Sequence, residues 1–298
     1  MRLALLDYHL ANFHADTFHR LLGSTFADRG VEVVAAFESD PTPGTDWCAD
    51  HAVARATSLD EAVDRADALL VLAPDDLDTH LDTARRVLPA GKPVVFDKLL
   101  ALDPAEAWQI VALAEQHGTR IFSGSALRYA AEADRLLDGV DPVRIQDAFA
   151  RGYGAWDHYG IHTLSLAVRL GGHHITRMRD CGTPDSRLLV LDHGERRTLV
   201  DCRTGDNAAE RLGWTGGIKV DGQWRTTEVT DANAFYTNLL GHYLDFLAGA
   251  PPESSPEELA RIVAMLAGSR ASLAEDGGWV ALDRPGTDPV DGSAEGVH

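Results

Sequence analysis

Lys98 stands where an apolar run, Pro93-Val94-Val95-Phe96, gives way to Asp97-Lys98-Leu99-Leu100-Ala101. A lysine at the mouth of a buried strand can bind a substrate hydroxyl or relay its proton. The chain has only three lysines, Lys92, Lys98 and Lys219, so Lys98 is not one member of a Lys-rich surface. A solvated pair with Asp97 is the competing reading. In the second half, Trp156-Asp157-His158-Tyr159-Gly160-Ile161-His162 sets His158 and His162 four apart at a helix start, on one face. Two imidazoles so spaced can share proton transfer, or supply two metal ligands with Asp157 as a third, but packing or surface histidines would look the same. No H-E-x-x-H or similar spacing completes a metal site, and none is expected.

Glu38 closes a second apolar run, Val33-Val34-Ala35-Ala36-Phe37. An acid there can accept hydrogen bonds from the ribose of an NAD adenosine half and repel a 2′-phosphate, so NAD is expected over NADP; a solvated strand-end acid is the alternative. A third run, Leu70-Val71-Leu72, leads into Ala73-Pro74 with His80 beyond, and these either shape a cofactor-side loop or serve packing alone.

The turn after the first strand is Asp7-Tyr8-His9-Leu10-Ala11-Asn12, without a glycine. A G-x-G-x-x-G/A fingerprint needs its first glycine for a tight turn and its second for close approach of a pyrophosphate. Leu6 and Tyr8 stand in those places, or Asp7 and His9 if the register slips, and only Ala11 fits the third. Tyr8, His9 or the nearby His14 can fill the space of the phosphates, and Asp7 would repel them.

The elements that must position these residues follow a βαβ grammar through about residue 122: strands at Arg2–Leu6, Val31–Phe37, Ala68–Leu72, Pro93–Phe96 and Arg120–Ser123. Helices are expected at Ala15–Arg29, Leu59–Arg65, Leu77–Val87 and Pro104–Gln116, with Ser58 and Glu61 as a capping box. Such strands form a doubly wound parallel sheet whose crevice lies beyond their carboxyl ends. After Ser125 the pattern changes to a helix at Ala131–Leu137, a strand at Arg144–Arg151, a helix at Tyr159–Leu170, and short strands with turns at Asp192-His193-Gly194 and Thr215-Gly216-Gly217. Two closing helices, Ala234–Ala248 and Pro256–Leu273, complete an α+β domain with a mostly antiparallel open sheet.

With 298 residues, 45% of them hydrophobic, the chain suits two domains, over 1–122 and 123–298. A formal net charge of -19 without a basic stripe argues against nucleic acid or anionic membrane as partners. No apolar run is long enough to span a bilayer, the N-terminus does not read as a signal peptide, and a cytoplasmic location is expected. Cys48, Cys181 and Cys202 are too scattered for a zinc knuckle or disulfide framework.

Gly91 to Ala101 resembles the G-K-x-V-x-x-E-K-P-L-A segment of the glucose-fructose oxidoreductase, inositol dehydrogenase and rhizopine-catabolism (Gfo/Idh/MocA) family. Ser123-Gly124-Ser125-Ala126-Leu127-Arg128-Tyr129, Tyr159-Gly160-Ile161-His162 with Leu170-Gly171-Gly172, and Phe246-Leu247-Ala248-Gly249 with Ser255-Pro256-Glu257-Glu258 are similar to further family stretches. The resemblance implies a Rossmann domain and an α/β domain whose open sheet joins a dimer or tetramer. It implies NAD(P)-dependent oxidation or reduction of a carbinol carbon in a sugar, cyclitol or related small molecule. Lys98 then corresponds to the lysine of E-K-P and His162 to the catalytic histidine of D-x-x-x-H. Tyr8, His9, Ala11, Glu38, Ala73, Pro74, His80, Asp97 and Lys98 fall on the cofactor side.

Four departures stand out. The glycines are absent, the family Glu is Asp97, the Pro after the lysine is Leu99, and the Asp four before His162 is His158, with Asp157 one place off. These departures keep a second reading open, a relative that has lost the cofactor and performs elimination, isomerisation or cyclisation, with or without a metal. A non-catalytic ligand-binding protein is a third.

Overall fold

The computed structural model describes residues 1–73, 79–203 and 213–282. Pro74 and the C-terminal stretch from residue 283 therefore lie outside the described residues. Five strands, β1 (Arg2–Asp7), β2 (Glu32–Glu38), β3 (Ala68–Val71), β4 (Val94–Asp97) and β5 (Ile121–Gly124), form one parallel sheet in the order β2-β1-β3-β4-β5. The chain leaves β1 toward one edge and then returns to its other side, so the crevice opens between the carboxyl ends of β1 and β3. Every residue of β3, β4 and β5 is buried, as a sheet covered on both faces requires.

The covering helices begin and end where local chemistry dictates. Asn12 caps α1 (Phe13–Gly23) by accepting the amides of His14 and Ala15. After the short α2 (Trp47–Asp50), Ser58 caps α3 (Leu59–Arg65) by accepting Glu61 N–H; the Glu61 carboxylate bonds Thr57 instead of closing the expected box. α4 (His80–Val87) and α5 (Pro104–His117) follow, the latter started by Asp103 and Pro104 and stopped by left-handed Gly118.

The second sheet has seven strands: β6 (Ile145–Tyr153), β7 (Arg177–Asp180), β8 (Ser186–Asp192), β9 (Arg197–Arg203), β10 (Trp214–Val220), β11 (Gln223–Val229) and β12 (Val280–Ala281). Their order is β11-β10-β6-β9-β8-β7-β12, antiparallel except for the β6–β9 pair. The architecture is thus a Rossmann-type sheet followed by an α+β unit. Helices α6 (Ala131–Leu137), α7 (Trp156–Gly171) and α9 (Pro256–Ala274) pack on this second sheet, and α8 (Ala232–Leu247), with α9, bridges to the first.

The turn expected at Thr215-Gly216-Gly217 is instead the middle of β10. A Cβ on Gly216 would sit 2.5 Å from Leu170 Cδ1, and one on Gly217 would sit 2.4 Å from the Phe149 ring. These glycines let α7 and a neighbouring ring lie on the strand, and the chain reverses at Asp221-Gly222.

Candidate active site

β4 delivers two charges to one point. Asp97 ends the strand with its carboxylate fully buried, and Lys98 follows in a left-handed conformation, φ 61°, that a lysine rarely adopts. The Ser123 hydroxyl donates to Lys98 O at 3.1 Å, and His80 Nδ1 donates to the Leu99 and Leu100 carbonyls at 3.1 Å each. His80 is wholly buried, and burial holds its imidazole below the usual range. It serves the loop bearing Lys98 from behind and presents nothing to a ligand. Leu99, in the place of the family proline, is buried beside it.

Burial alone would push the Asp97 carboxyl up, but His14, with Lys98 adjoining, outweighs it and holds the group below the usual carboxylate range. His14 Nδ1 lies 2.6 Å from Asp97 Oδ2. The ring N–H does not point straight at that oxygen, so charge and proximity hold the pair; such contacts often tighten only when substrate closes the site. The Tyr243 hydroxyl lies 3.2 Å from Asp97 Oδ1 and 3.0 Å from Gly124 O and donates its one proton between them.

α7 brings His162 to the same place. Its Nδ1 is 2.7 Å from Ser125 Oγ, and burial, Lys98 and His14 together push its imidazole down to about 3. The ring is therefore neutral at ordinary pH. Asn12, Phe13, His14, Lys98, Tyr159, His162 and Tyr236 enclose a cavity of about 320 Å³. Of the four catalytic candidates, Lys98 and His162 meet here.

Asp157 and His158 do not meet them. Both are exposed; Asp157 pairs with Arg270 of α9, and His158 lines no part of the cavity. Each residue turns a helix by about 100°, so Asp157 cannot substitute for an acid one position later, and His158 lies one full turn nearer the solvent-exposed helix start.

The glycine-free turn holds itself together with side chains. No residue from Asp7 to Asn12 takes a positive φ, so the turn does not call on glycine's freedom. Asp7 Oδ1 accepts the amides of Tyr8 at 2.7 Å and Ala73 at 3.1 Å, while Asn12 Nδ2 donates to Asp7 Oδ2 at 2.9 Å and His9 O at 2.6 Å. Burial raises the Asp7 carboxyl to about 7, against these hydrogen bonds. At pH 7 the group is therefore about half protonated, which weakens the repulsion expected toward a phosphate.

Glu38 is engaged from both sides: Oε2 accepts Leu10 N–H at 3.0 Å and Oε1 pairs with Arg55. Its carboxylate braces the turn from the end of β2. The Tyr8 hydroxyl donates to Asp40 Oδ2 at 2.7 Å. His9 stacks edge-on against Tyr8 and, with exposed Ala11, borders neither of the two cavities described here.

A second cavity of about 310 Å³ opens at the carboxyl ends of β1, β2 and β3. Leu6, Asp7, Tyr8, Phe37, Val71 and Ala73 line it, with Arg86 and Asp82 from α4 at its rim. A mostly apolar slot at the switch point suits the adenosine half of a dinucleotide. The amides of Tyr8, Leu10, His14 and Ala15 are committed internally, whereas those of His9, Ala11 and Phe13 have no protein acceptor among the described residues. The residues present thus fit a dinucleotide, with fewer phosphate donors than a glycine loop offers.

Residues 8–125 match the family model described as an oxidoreductase family with an NAD-binding Rossmann fold, GFO_IDH_MocA. Those residues belong to the Gfo/Idh/MocA oxidoreductase family. A relative in Escherichia coli K12, the uncharacterized oxidoreductase YhhX, is 25% identical over 169 residues. That alignment spans 48% of this chain and 49% of YhhX, about half of each. GenD2 from gentamicin A biosynthesis, solved in complex with NAD, superposes with a TM-score of 0.78 at 18% identity, over 95% of this chain and 97% of GenD2. A myo-inositol dehydrogenase from Corynebacterium glutamicum gives 0.77 at 12% identity, over 95% and 99%. The Gfo/Idh/MocA architecture therefore extends through both sheets. Three residues at the site went unassigned by sequence reasoning: Ser125, His14 and Tyr236. Ser125 lies within a resembling stretch, His14 reads from the sequence only as a filler of the phosphate space, and Tyr236 carries no signal.

Proposed function

We propose that this protein is an NAD-preferring oxidoreductase acting on a carbinol or carbonyl carbon of a sugar, cyclitol or related small metabolite. The observation that carries the reading is the convergence of Lys98 and His162 on one cavity, beside a crevice shaped for a dinucleotide. When bound, the dinucleotide would supply the nicotinamide that exchanges hydride with the reacting carbon. The Lys98 ammonium polarises the substrate oxygen, and its left-handed backbone, pinned by Ser123 and His80, fixes where that ammonium can reach. Neutral His162, anchored by Ser125, orients the hydroxyl. Tyr159 and Tyr236 offer ring faces to the carbon skeleton.

The preference for NAD rests on the acids Glu38 and Asp40 at the end of β2 and on Arg55 being tied to Glu38 and Asp46 rather than available to a 2′-phosphate. Isothermal titration with NADH and NADPH tests this. NADH should bind with the higher affinity, and absence of binding by both at millimolar concentration would overturn the reading.

The committed amides of the turn favour one alternative, cofactor-free elimination, isomerisation or cyclisation by the same Lys98 and His162. Turnover that survives complete removal of NAD would select it. For a metal-assisted form, no group of three or more His, Cys, Asp or Glu among the described residues is arranged to hold an ion.

The same proposal places the protein in the cytoplasm as a dimer or tetramer, with its substrate as its small-molecule partner. Among the described residues no helix is long and apolar enough to cross a membrane. Leu188, Leu199 and Trp224, each more than 40% exposed, supply apolar surface on the uncovered second sheet for a second copy. The division into a dinucleotide unit over 1–122 and a substrate and oligomer unit over 123–298 is part of this reading.

A further inference from the structure

The cap that Asn12 places on α1 turns His14 inward, where it is 8% exposed. With Nδ1 only 2.6 Å from Asp97 Oδ2, a nitrogen lone pair and a carboxylate oxygen would repel, so one of the two atoms carries a proton, although the ring N–H is not in line with the oxygen in this geometry. Asp97 favours its ionised form, so that proton belongs to Nδ1, and Nε2 carries the lone pair whenever the ring is neutral. Among the described residues the side-chain polar contact of His14 is the one from Nδ1 to Asp97, and the ring forms part of the wall shared with Lys98 and His162. A buried carboxylate that fixes one imidazole nitrogen and leaves the other facing a reaction site is the arrangement of a general base.

His162 is differently placed. Its Nδ1 is taken by Ser125, and a ring pushed down to about 3 would not retain a proton delivered to it. The position four residues before it holds exposed His158 and supplies no acid to support it.

We propose that His14, oriented by Asp97, is a catalytic residue that takes the proton of the reacting hydroxyl, while Lys98 holds the oxygen. This rests on the oxidoreductase reading above. In the oxidation direction the substrate O–H bond breaks and its proton passes to His14 Nε2. The carbinol C–H bond breaks and its electron pair leaves as hydride to an oxidised nicotinamide dinucleotide, so the carbinol becomes a carbonyl and the nicotinamide is reduced. In reverse, His14 returns the proton. The groups facing His14 are Asp97 and Lys98 from the end of β4, His162 and Tyr159 from α7, and Tyr236 from α8, while Tyr243 of α8 meets Asp97 from its other oxygen. The helix that follows the glycine-free turn thus supplies the base.

Two measurements test the proposal. Long-range nitrogen-proton correlation spectra of histidine-labelled full chain read the tautomer without substrate, with His14→Asn identifying the signal. His14 should carry its proton on Nδ1 in the unaltered protein and lose that preference in Asp97→Asn. An Nε2–H tautomer, or no change in Asp97→Asn, overturns the proposal.

The second measurement follows NAD reduction with myo-inositol and D-glucose as probes. His14→Ala should lower kcat by about 100-fold or more, the range of general-base catalysis, while NADH affinity stays within about twofold. Added imidazole should restore about tenfold of that loss. His14→Asn keeps an N–H toward Asp97 but no base, so it should fold, bind NADH and remain as slow. A His14→Ala kcat near that of the unaltered protein, or no response to imidazole, overturns the proposal. An unaltered protein that binds no NADH would overturn the oxidoreductase reading instead, and the tautomer result would then decide the His14–Asp97 pair alone.

Discussion

Replacing Asp7 with Asn should change how both stability and cofactor affinity respond to pH. The folded protein holds the Asp7 carboxyl at about 7 against an ordinary 3.8, chiefly through burial. Between those values the unfolded chain has released a proton that the folded chain retains, so stability contributed by this group is greatest on the acid side. It falls as pH rises through that window and is lost above the folded value. A shift of about three pH units corresponds to about 4 kcal/mol in full. Between about pH 5 and about pH 8, Asp7 alone should cost the protein roughly 2.5 kcal/mol.

Asp7→Asn removes this titration. Its carbonyl still accepts the Tyr8 and Ala73 amides, but its amide group meets the Asn12 amide donor, a loss of about 1 kcal/mol at every pH. Urea unfolding of both proteins at the two pH values isolates the difference, because every other titrating group is shared. The variant should lose about 2.5 kcal/mol less across the interval, and should be the more stable of the two at the alkaline end. NADH affinity should follow the same group: in the unaltered protein it weakens as Asp7 ionises beside the phosphate path, and in Asp7→Asn it stays level. Identical pH slopes in the two proteins would refute the account of the turn.

Gly216→Ala places a methyl 2.5 Å from Leu170 Cδ1, so the buried Leu170 side chain must give way; a loss of about 1–3 kcal/mol in urea unfolding is expected. His162→Gln should flatten the acid limb of stability. With the folded imidazole at about 3 against an ordinary 6.5, the unfolded chain binds a proton below 6.5 that the folded chain refuses, so stability now falls as pH drops through that window. Thermal unfolding near pH 4 and pH 7, in both proteins, measures the difference; the variant should show the smaller drop.

The strands of the first sheet and the Lys98 loop were legible because their signals are local: unbroken apolar runs ended by turn residues. Gly216 and Gly217 misled because a strand glycine and a turn glycine look alike until the partner is known, here Leu170 and the Phe149 ring. Asp157 and His158 could be placed on a helix but not rotated about it, and one residue of rotation decided which side chain meets Lys98. Glu38 was legible as a strand-end acid, whereas its commitment to Arg55 and Leu10 depends on a segment that folds back over it. Tyr236 enters the cavity from another element and carries no motif that announces it, and the stretch around Ser125 does not reveal that its hydroxyl meets His162.

The glycine-free turn connects these observations. A glycine loop keeps side chains out and aims its amides at phosphate; this turn spends two carboxylates and an Asn side chain on its own amides. Asp7 can sit there because burial raises its carboxyl to about 7, so that about half of it is neutral at pH 7, and Asn12 can then cap α1 two residues before His14. That cap directs His14 into contact with Asp97. The change that reduced the donors for a dinucleotide therefore also brought a second imidazole to Lys98, which is why cofactor affinity and proton transfer should respond separately to substitutions at Asp7 and His14.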